Sequence, residues 1–410
     1  MMKRVVVTGL GIVSAIGNNA EGVCISLRQG QSGIVFVPQM QERGFKCCLF
    51  GPVKGLDTGG LKKKAARTMS DVAKYAAVAA LEAIQDARLG PEALQGDRCG
   101  VVVGTGLGGI NEATRIENMW ERGMPLTRAG ANGIVKVMNC TASGNLASYL
   151  GARGRSLSVS TACCTGLDNL GYAYELLQAG VLDLCIAGSA EEDSWRYMGA
   201  SFDNFQESPR SWNDRPSEAC RPYDRDREGF VLASGAGILV LETLDHAKAR
   251  GARIIAEILG YGSNNDGEDM FRPNGRGLRQ ALKQCMAPLW AQGIHHIDLL
   301  NPHGTGTHVG DEVESGAIRE VLGTSPMVSA TKGLTGHALG AAAAIEAVIT
   351  LLMLTRGFVS PTANLENIAP ECAGINHART LLEVPMETAM TFNSGLGGTN
   401  AAMVFKKRDG

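Results

Sequence analysis

Four short segments hold residues whose types and spacing could do chemistry. In Ser160-Thr161-Ala162-Cys163-Cys164-Thr165-Gly166 a β-like run gives way to a helical pattern. A cysteine at a helix start meets free backbone N–H groups and the positive end of the dipole, and both favour a nucleophilic thiolate. The structural alternative is a turn holding two small buried cysteines. In Asn301-Pro302-His303-Gly304-Thr305-Gly306-Thr307 a histidine leaves the β run 297–300 and is followed by hydroxyl side chains. Such a loop can present a neutral imidazole as donor and hydroxyls to a ligand's amides, although a lone histidine is more often structural. In Ser329-Ala330-Thr331-Lys332-Gly333-Leu334-Thr335-Gly336-His337 a second histidine stands five residues after a lysine, where a helix is expected to begin. The positive helix end should lower the pKa of that imidazole and keep it neutral. Asn393-Ser394-Gly395-Leu396-Gly397-Gly398-Thr399-Asn400 has three glycines in four residues after an apolar run. Its N–H groups could face an oxyanion, or it is a tight turn.

These segments need elements to position them. Apolar, β-branched runs predict strands over 5–8, 100–103, 157–160, 182–187, 237–242 and 254–259. The pattern predicts a helix over 70–89, capped by Ser70 and stopped by Gly90. Leu167, Leu170, Tyr174 and Leu177 form one helical face, ended by Gly180. Alternation of this kind predicts an α/β fold with helix-covered sheets. A weak half-length echo links 158–166 with 391–398, each an apolar run entering small residues. The polar stretch 207–222 reads as a surface loop.

Composition narrows the class. Of 410 residues 44% are apolar and 20% charged, with a net charge of −2, so no global charge calls for nucleic acid or an anionic membrane. The start of the chain has neither signal-peptide nor transit-peptide order. The apolar stretch 338–355 is interrupted by Glu346 and reads as a buried helix. Eleven cysteines with no C-x-x-C pair predict free thiols in a cytoplasmic protein, without disulfides or structural zinc. Gly9-Leu10-Gly11 and Gly104-Thr105-Gly106-Leu107-Gly108-Gly109 mimic dinucleotide loops only weakly. His295-His296 lacks the spacing of a metal pair.

Taken together, the four segments resemble the β-ketoacyl-acyl carrier protein synthases, in the chain-elongating type I/II branch. The resemblance runs from Val7-Thr8-Gly9-Leu10-Gly11 through Arg221-Pro222-Tyr223-Asp224-Arg225 to Gly397-Gly398-Thr399-Asn400, and Glu191-Glu192-Asp193-Ser194-Trp195 is similar to type I. It implies a thiolase-like α/β fold: two duplicated halves, 1–250 with the nucleophile and 251–410 with the histidines, in five α/β/α/β/α layers. It implies Cys163 as nucleophile, His303 and His337 as the decarboxylation pair, and Lys332 as a buried support; a buried lysine needs a partner, so Lys332 should hydrogen-bond Glu314 or sit close to it. Asp311 and Glu314 form the support network, and Thr305 and Thr307 hold the pantetheine arm. The N–H groups of Cys163 and Leu396 form the oxyanion hole. Leu107 borders the acyl pocket. The implied partners are acyl carrier protein, docking on Lys62, Lys63, Lys64 and Arg67, malonyl and acyl thioesters, and a second copy or a related subunit. No metal or organic cofactor is implied.

The sequence also departs from that pattern. Gly306 stands where Ser is usual, and His308 where Pro is usual. The last loop is one residue short of Asn-Ser-Phe-Gly-Phe-Gly-Gly-Thr-Asn and lacks its gating phenylalanine, which predicts a more open entrance over a partly closed floor. Cys164 replaces a small residue. A polyketide or aryl-polyene ketosynthase subunit remains an alternative. A thiolase would need a second cysteine in a Cys-x-Gly loop, and a chain-length-factor-like partner would lack Cys163.

Overall fold

A computed structural model describes residues 2–205 and 207–408. Its strands include β1 (Val5–Val13), β2 (Cys99–Gly104), β3 (Ser156–Leu157), β4 (Leu184–Glu191), β5 (Gly235–Thr243) and β6 (Ala256–Asn265). They continue with β7 (Leu299–Asn301), β8 (Met327–Val328), β9 (Asn376–His377), β10 (Thr388–Gly395) and β11 (Thr399–Lys407). β1, β2, β4 and β5 are buried along their whole lengths, which explains their unbroken apolar runs: both faces are covered.

The sheet order is β9-β8-β7-β10-β11-β6-β1-β5-β4-β2-β3. Its topology contains a repeat. The first five strands lie in the order third, second, fourth, fifth, first, and β6, β7, β8, β10 and β11 repeat that order. In each set the second strand pairs parallel with the third and fourth, while the fifth pairs antiparallel with the fourth and first. The sets join where Val5–Val7 of β1 meet Ala256–Ile258 of β6. By this correspondence 158–166 matches the segment after β8, not 391–398, so the echo read in the sequence paired the wrong segments.

Helices α1 (Asp71–Asp86) and α2 (Thr141–Leu150) cover the outer face of the first set. α3 (Thr165–Gln178) and α6 (Ala342–Arg356) lie between the sets, and α4 (Arg276–Trp290) and α5 (His308–Val321) cover the second. This is the thiolase-like layering. Close packing explains the glycines that mimicked nucleotide loops. A Cβ on Gly9 or Gly11 would come within 2.1 Å of Ala83 O or 2.0 Å of Ala79 O, where α1 rests on β1.

Other boundaries differ from expectation. Ser70 does cap α1 through the Ala73 N–H, but the helix ends at Asp86. The chain reverses at Arg88, φ 54°, while Gly90 has φ −80° and opens the next short helix. β3 stops at Leu157. Beyond it the Asn169 side chain, not a strand partner, accepts from Val159 N–H at 3.1 Å and donates to Val159 O at 2.9 Å. The stretch 207–222 is partly tucked in, with Ser208, Ala219, Cys220 and Arg221 buried. Leu339–Arg356 is apolar enough to cross a membrane, yet 89% of it is buried inside the fold.

Candidate active site

The nucleophile candidate sits on a strained turn. Ala162 takes φ 51°, a left-handed conformation that costs a non-glycine residue about 1 kcal/mol or more. The surroundings hold it: Thr161 N–H donates to Thr165 Oγ1 at 2.9 Å, and Thr161 Oγ1 donates to Asp168 Oδ2 at 2.5 Å. Tyr261 donates to the other oxygen of Asp168 at 2.6 Å. Cys163 lies two residues before α3 and opens into a cavity of about 450 Å³. Cys164 points away, its thiol donating to Asn393 O at 3.1 Å.

Both histidines converge on the sulfur. His303 leaves β7, and His337 lies between the one-turn helix Lys332–Thr335 and the start of α6. His337 Nε2 is 3.1 Å from Cys163 Sγ, and the rings of His303 and His337 meet edge to face with centroids 5.3 Å apart. One ring nitrogen of each and the sulfur lie within 4.8 Å of one another. His337 Nδ1 accepts from Leu339 N–H at 3.0 Å, and His303 Nδ1 faces the Asn393 side-chain amide at 3.0 Å. With Nδ1 occupied as acceptor, each neutral ring carries its proton on Nε2, toward the cavity. Burial, then the Lys332 charge, hold both imidazoles well below their usual pKa. Their atoms could also hold a soft divalent ion, since Cys and His suit one.

Sulfur electrostatics differ from the sequence expectation. Burial raises the Cys163 thiol to about 11, against the lowering effects of Lys332 and of the N–H groups of Leu396 and Cys163 itself. Desolvation therefore outweighs the lysine charge and the N–H groups at this sulfur. The pull of those two N–H groups on the thiol places both near the sulfur. The hairpin that brings Leu396 is close: a Cβ on Gly395 would stand 3.0 Å from Cys163 N.

Lys332 is 1% exposed. Its ammonium donates to Glu346 Oε1 and to His303 O, each at 2.5 Å. The expected hydrogen bond to Glu314 is absent among the described residues. Glu314 instead accepts from Tyr223 OH at 2.6 Å and Gly304 N–H at 2.9 Å. The reason is geometric: α6 brings Glu346 under the lysine, while Glu314 is taken up by the loop after His303. Asp311 accepts from Tyr223 N–H at 2.6 Å and Gly306 N–H at 3.0 Å. Burial raises the pKa of Asp311, and burial together with the Asp311 charge raises that of Glu314. These acids fix the loop bearing Thr305 and Thr307, whose hydroxyls are 3.0 Å apart on the cavity wall.

Other sequence candidates lie further out. Leu107 packs with Leu339, Phe202, Phe230 and Trp195 in a separate apolar cluster. Leu339 of that cluster lines the cavity, whereas Leu107 does not. Phe205 and Phe271 stack at 4.8 Å at the cavity, so aromatic side chains crowd the wall although the last loop lacks its phenylalanine. Lys62, Lys63, Lys64 and Arg67 are all exposed, and none forms an ion pair among the described residues. His295 and His296 are exposed.

With this geometry in view, two adjoining family profiles match: β-ketoacyl synthase, N-terminal domain, over residues 2–247, and its C-terminal domain over 255–366. The chain belongs to the β-ketoacyl synthase family. It is 42% identical over 409 residues, 99% of both chains, to 3-oxoacyl-[acyl-carrier-protein] synthase 1 of Escherichia coli K12. Its counterpart in Haemophilus influenzae is 40% identical, with all of each chain covered. A solved β-ketoacyl synthase from Burkholderia phymatum superposes with a TM-score of 0.94 at 34% identity, each chain fully covered. The ishigamide ketosynthase/chain length factor gives 0.90 at 30%, again with full coverage of both. Like the condensing enzymes of its family, this synthase is an acyltransferase. Glu346 and Asn393 were not singled out in the sequence. A lone charge in an apolar helix was the available signal, because a buried carboxylate needs a counter-charge and Lys332 lies 14 residues earlier.

Proposed function

We propose that this synthase carries out decarboxylative Claisen condensation of an acyl group on Cys163 with malonyl-acyl carrier protein, in fatty acid biosynthesis. The observation that carries this is the pair of neutral, Nε2-protonated imidazoles within 4.8 Å of the sulfur. In the first half-reaction the Cys163 sulfur attacks the thioester carbonyl, and the carrier's thiol leaves with the cysteine proton. The N–H groups of Cys163 and Leu396 hold the transient oxyanion. A malonyl thioester then enters beside Thr305 and Thr307. Its carbon–carboxylate bond breaks, carbon dioxide leaves, and the electron pair moves onto the thioester oxygen. His303 and His337 donate to that enolate. Its carbon attacks the acyl-cysteine carbonyl, the new carbon–carbon bond forms, and Cys163 departs as thiolate. Departure of carbon dioxide drives the step, so no metal or organic cofactor is called on. Lys332 and Glu346 support His303, while Asp311 and Glu314 support the threonine loop.

The 3-oxoacyl-[acyl-carrier-protein] synthases named above support a carrier-protein substrate, and their higher identity than that of the ishigamide ketosynthase/chain length factor favours the fatty acid reading. Cys163 argues against a non-catalytic partner. We assign the two halves to 1–250 and 251–410, the setting to the cytoplasm, and the working form to a homodimer. The test is condensation of malonyl-carrier protein with an acyl-carrier series, with mass spectrometry of the enzyme. Cys163→Ala should abolish both product and acyl adduct. An adduct on Cys164 alone would overturn the assignment.

A further inference from the structure

We propose that Asn393 is a positioning residue that sets the tautomer of His303, and thereby keeps His303 an Nε2 proton donor beside Cys163. This rests on the reading of the two histidines as donors. The cluster has the ligand types and spacing of a soft-metal site, with a ring nitrogen from each histidine and the sulfur within 4.8 Å of one another. A metal on Nε2 requires the ring proton on Nδ1, where metal-bound histidines donate to a carboxylate or carbonyl. Here both Nδ1 atoms meet donors instead. At His337 the donor is the Leu339 N–H, fixed by the backbone. At His303 it is a side chain whose orientation could be either way round, since an amide presents a donor on one side and an acceptor on the other.

Glu346 decides that orientation. The Asn393 amide nitrogen lies 2.7 Å from Glu346 Oε2 and 3.0 Å from His303 Nδ1, so its two hydrogens serve the two neighbours. Turned over, its oxygen would face the Glu346 carboxylate. The other carboxylate oxygen is held by Lys332. Asn393 is fully buried, and its Oδ1 has no hydrogen-bond partner among the described residues. Leaving a buried acceptor unpaired is unfavourable. Here that loss accompanies the use of both N–H groups. The order of command is therefore Lys332 to Glu346, Glu346 to Asn393, and Asn393 to the His303 proton.

Asn393→Asp keeps the shape and reverses the instruction. An Asp oxygen at the nitrogen's position, protonated toward Glu346, accepts from Nδ1–H and leaves His303 Nε2 without a proton to donate. The experiment uses the full chain with 15N-labelled histidine and Zn²⁺ as the probe, without substrate. In the native protein, His303 should give the Nε2–H spectrum between pH 6 and 8, and the site should not retain zinc on dialysis. The variant should show the Nδ1–H spectrum for His303, still retain no zinc because the Leu339 N–H keeps His337 an Nε2 donor, and lose kcat in condensation by more than tenfold with little change in KM. It should still acylate Cys163. An Nδ1–H spectrum in the native protein, or one unchanged in the variant, overturns the proposal. The native spectrum alone decides this should the variant not fold. Because the tautomer and zinc readouts need no substrate, they stand apart from the outcome of the condensation assay.

Discussion

Glu191 illustrates how one side chain near the site ties chemistry to stability. It is fully buried and accepts from Gly106 N–H at 2.8 Å, Gly340 N–H at 3.2 Å and the Thr105 hydroxyl at 3.0 Å. Burial raises its pKa to about 8, against those hydrogen bonds. Since the folded value lies above the unfolded one, the unfolded chain releases this proton first as pH rises. The group's contribution is intact below the ordinary carboxylate range and is lost as pH climbs toward 8, at about 1.4 kcal/mol per unit. Glu191→Gln imitates the protonated acid, its oxygen facing the two N–H groups and its nitrogen facing Thr105. Urea unfolding at pH 6 and pH 8 should show a smaller fall in stability for the variant than for the native chain; equal falls would dismiss Glu191 as the cause. At this scale the sequence was legible where a residue type carries its own chemistry. Cys163, His303, His337 and Lys332 were found that way, and the fold brings them together. What was not legible was the partner of each. Lys332 needed a carboxylate and Glu314 was expected, but the path of α6 brings Glu346 to it instead. The thiol's pKa was likewise hidden, because burial is a property of the cavity and not of the motif.

Elements place those residues through close approaches that leave no room for a Cβ. α3 and α6 cross between the two strand sets at Gly166, where an added Cβ would stand 2.2 Å from Ala344 N and 2.8 Å from Ser189 Oγ. The first belongs to the helix that carries Glu346, and Gly166 itself lies three residues after Cys163. Gly166→Ala must push the helices apart. Such overpacking costs roughly 1–3 kcal/mol, and it also moves Cys163 relative to Glu346 and its dependants. We expect a lower urea midpoint and a loss of kcat in the same variant. A stable variant with normal activity would mean that this crossing is not held to the tolerance argued here. The strands were legible because apolar runs buried on both faces need no periodicity to be seen. Helix ends were less so. Gly90 looked like the stop of α1, yet the chain had already turned at Arg88, since a left-handed φ is open to other residues when local bonds hold it. The duplication was visible only as an echo between the wrong segments, because equivalence lies in strand order, which no short motif encodes.

At the scale of the whole molecule, exposed surfaces say what the chain meets. Between β2 and α2 an excursion displays Trp120 at 71% and Ile134 at 72% exposure, with Met124, Leu126 and Met138 also exposed. Large exposed apolar side chains of this kind are candidates for an interface, and a second copy is the occupant proposed above. Ile134→Glu should shift sedimentation toward monomer, and an unchanged dimer would move the interface elsewhere. The carrier protein calls for a different surface. Lys62, Lys63, Lys64 and Arg67 form an exposed basic run on and beside the short helix Lys63–Ala66. Lys62 lies 5.6 Å from the Tyr149 ring, which ties its end of the run to α2. The other three cations have no ion-pair partner among the described residues, so their charge is free to meet an acidic partner. Against a net charge of −2 for the whole chain, attraction to such a partner must come from a local patch of this kind. Steering by exposed charges acts mainly on association and is screened within about a Debye length, roughly 10 Å at 0.1 M salt. Replacing Lys63 and Lys64 by Glu should therefore weaken carrier binding on the order of tenfold at low salt and less at high salt. The KM for carrier-bound substrate should rise with kcat nearly unchanged, since neither lysine lines the cavity. Equal affinity for the native and reversed proteins at low salt would remove this run from the docking surface.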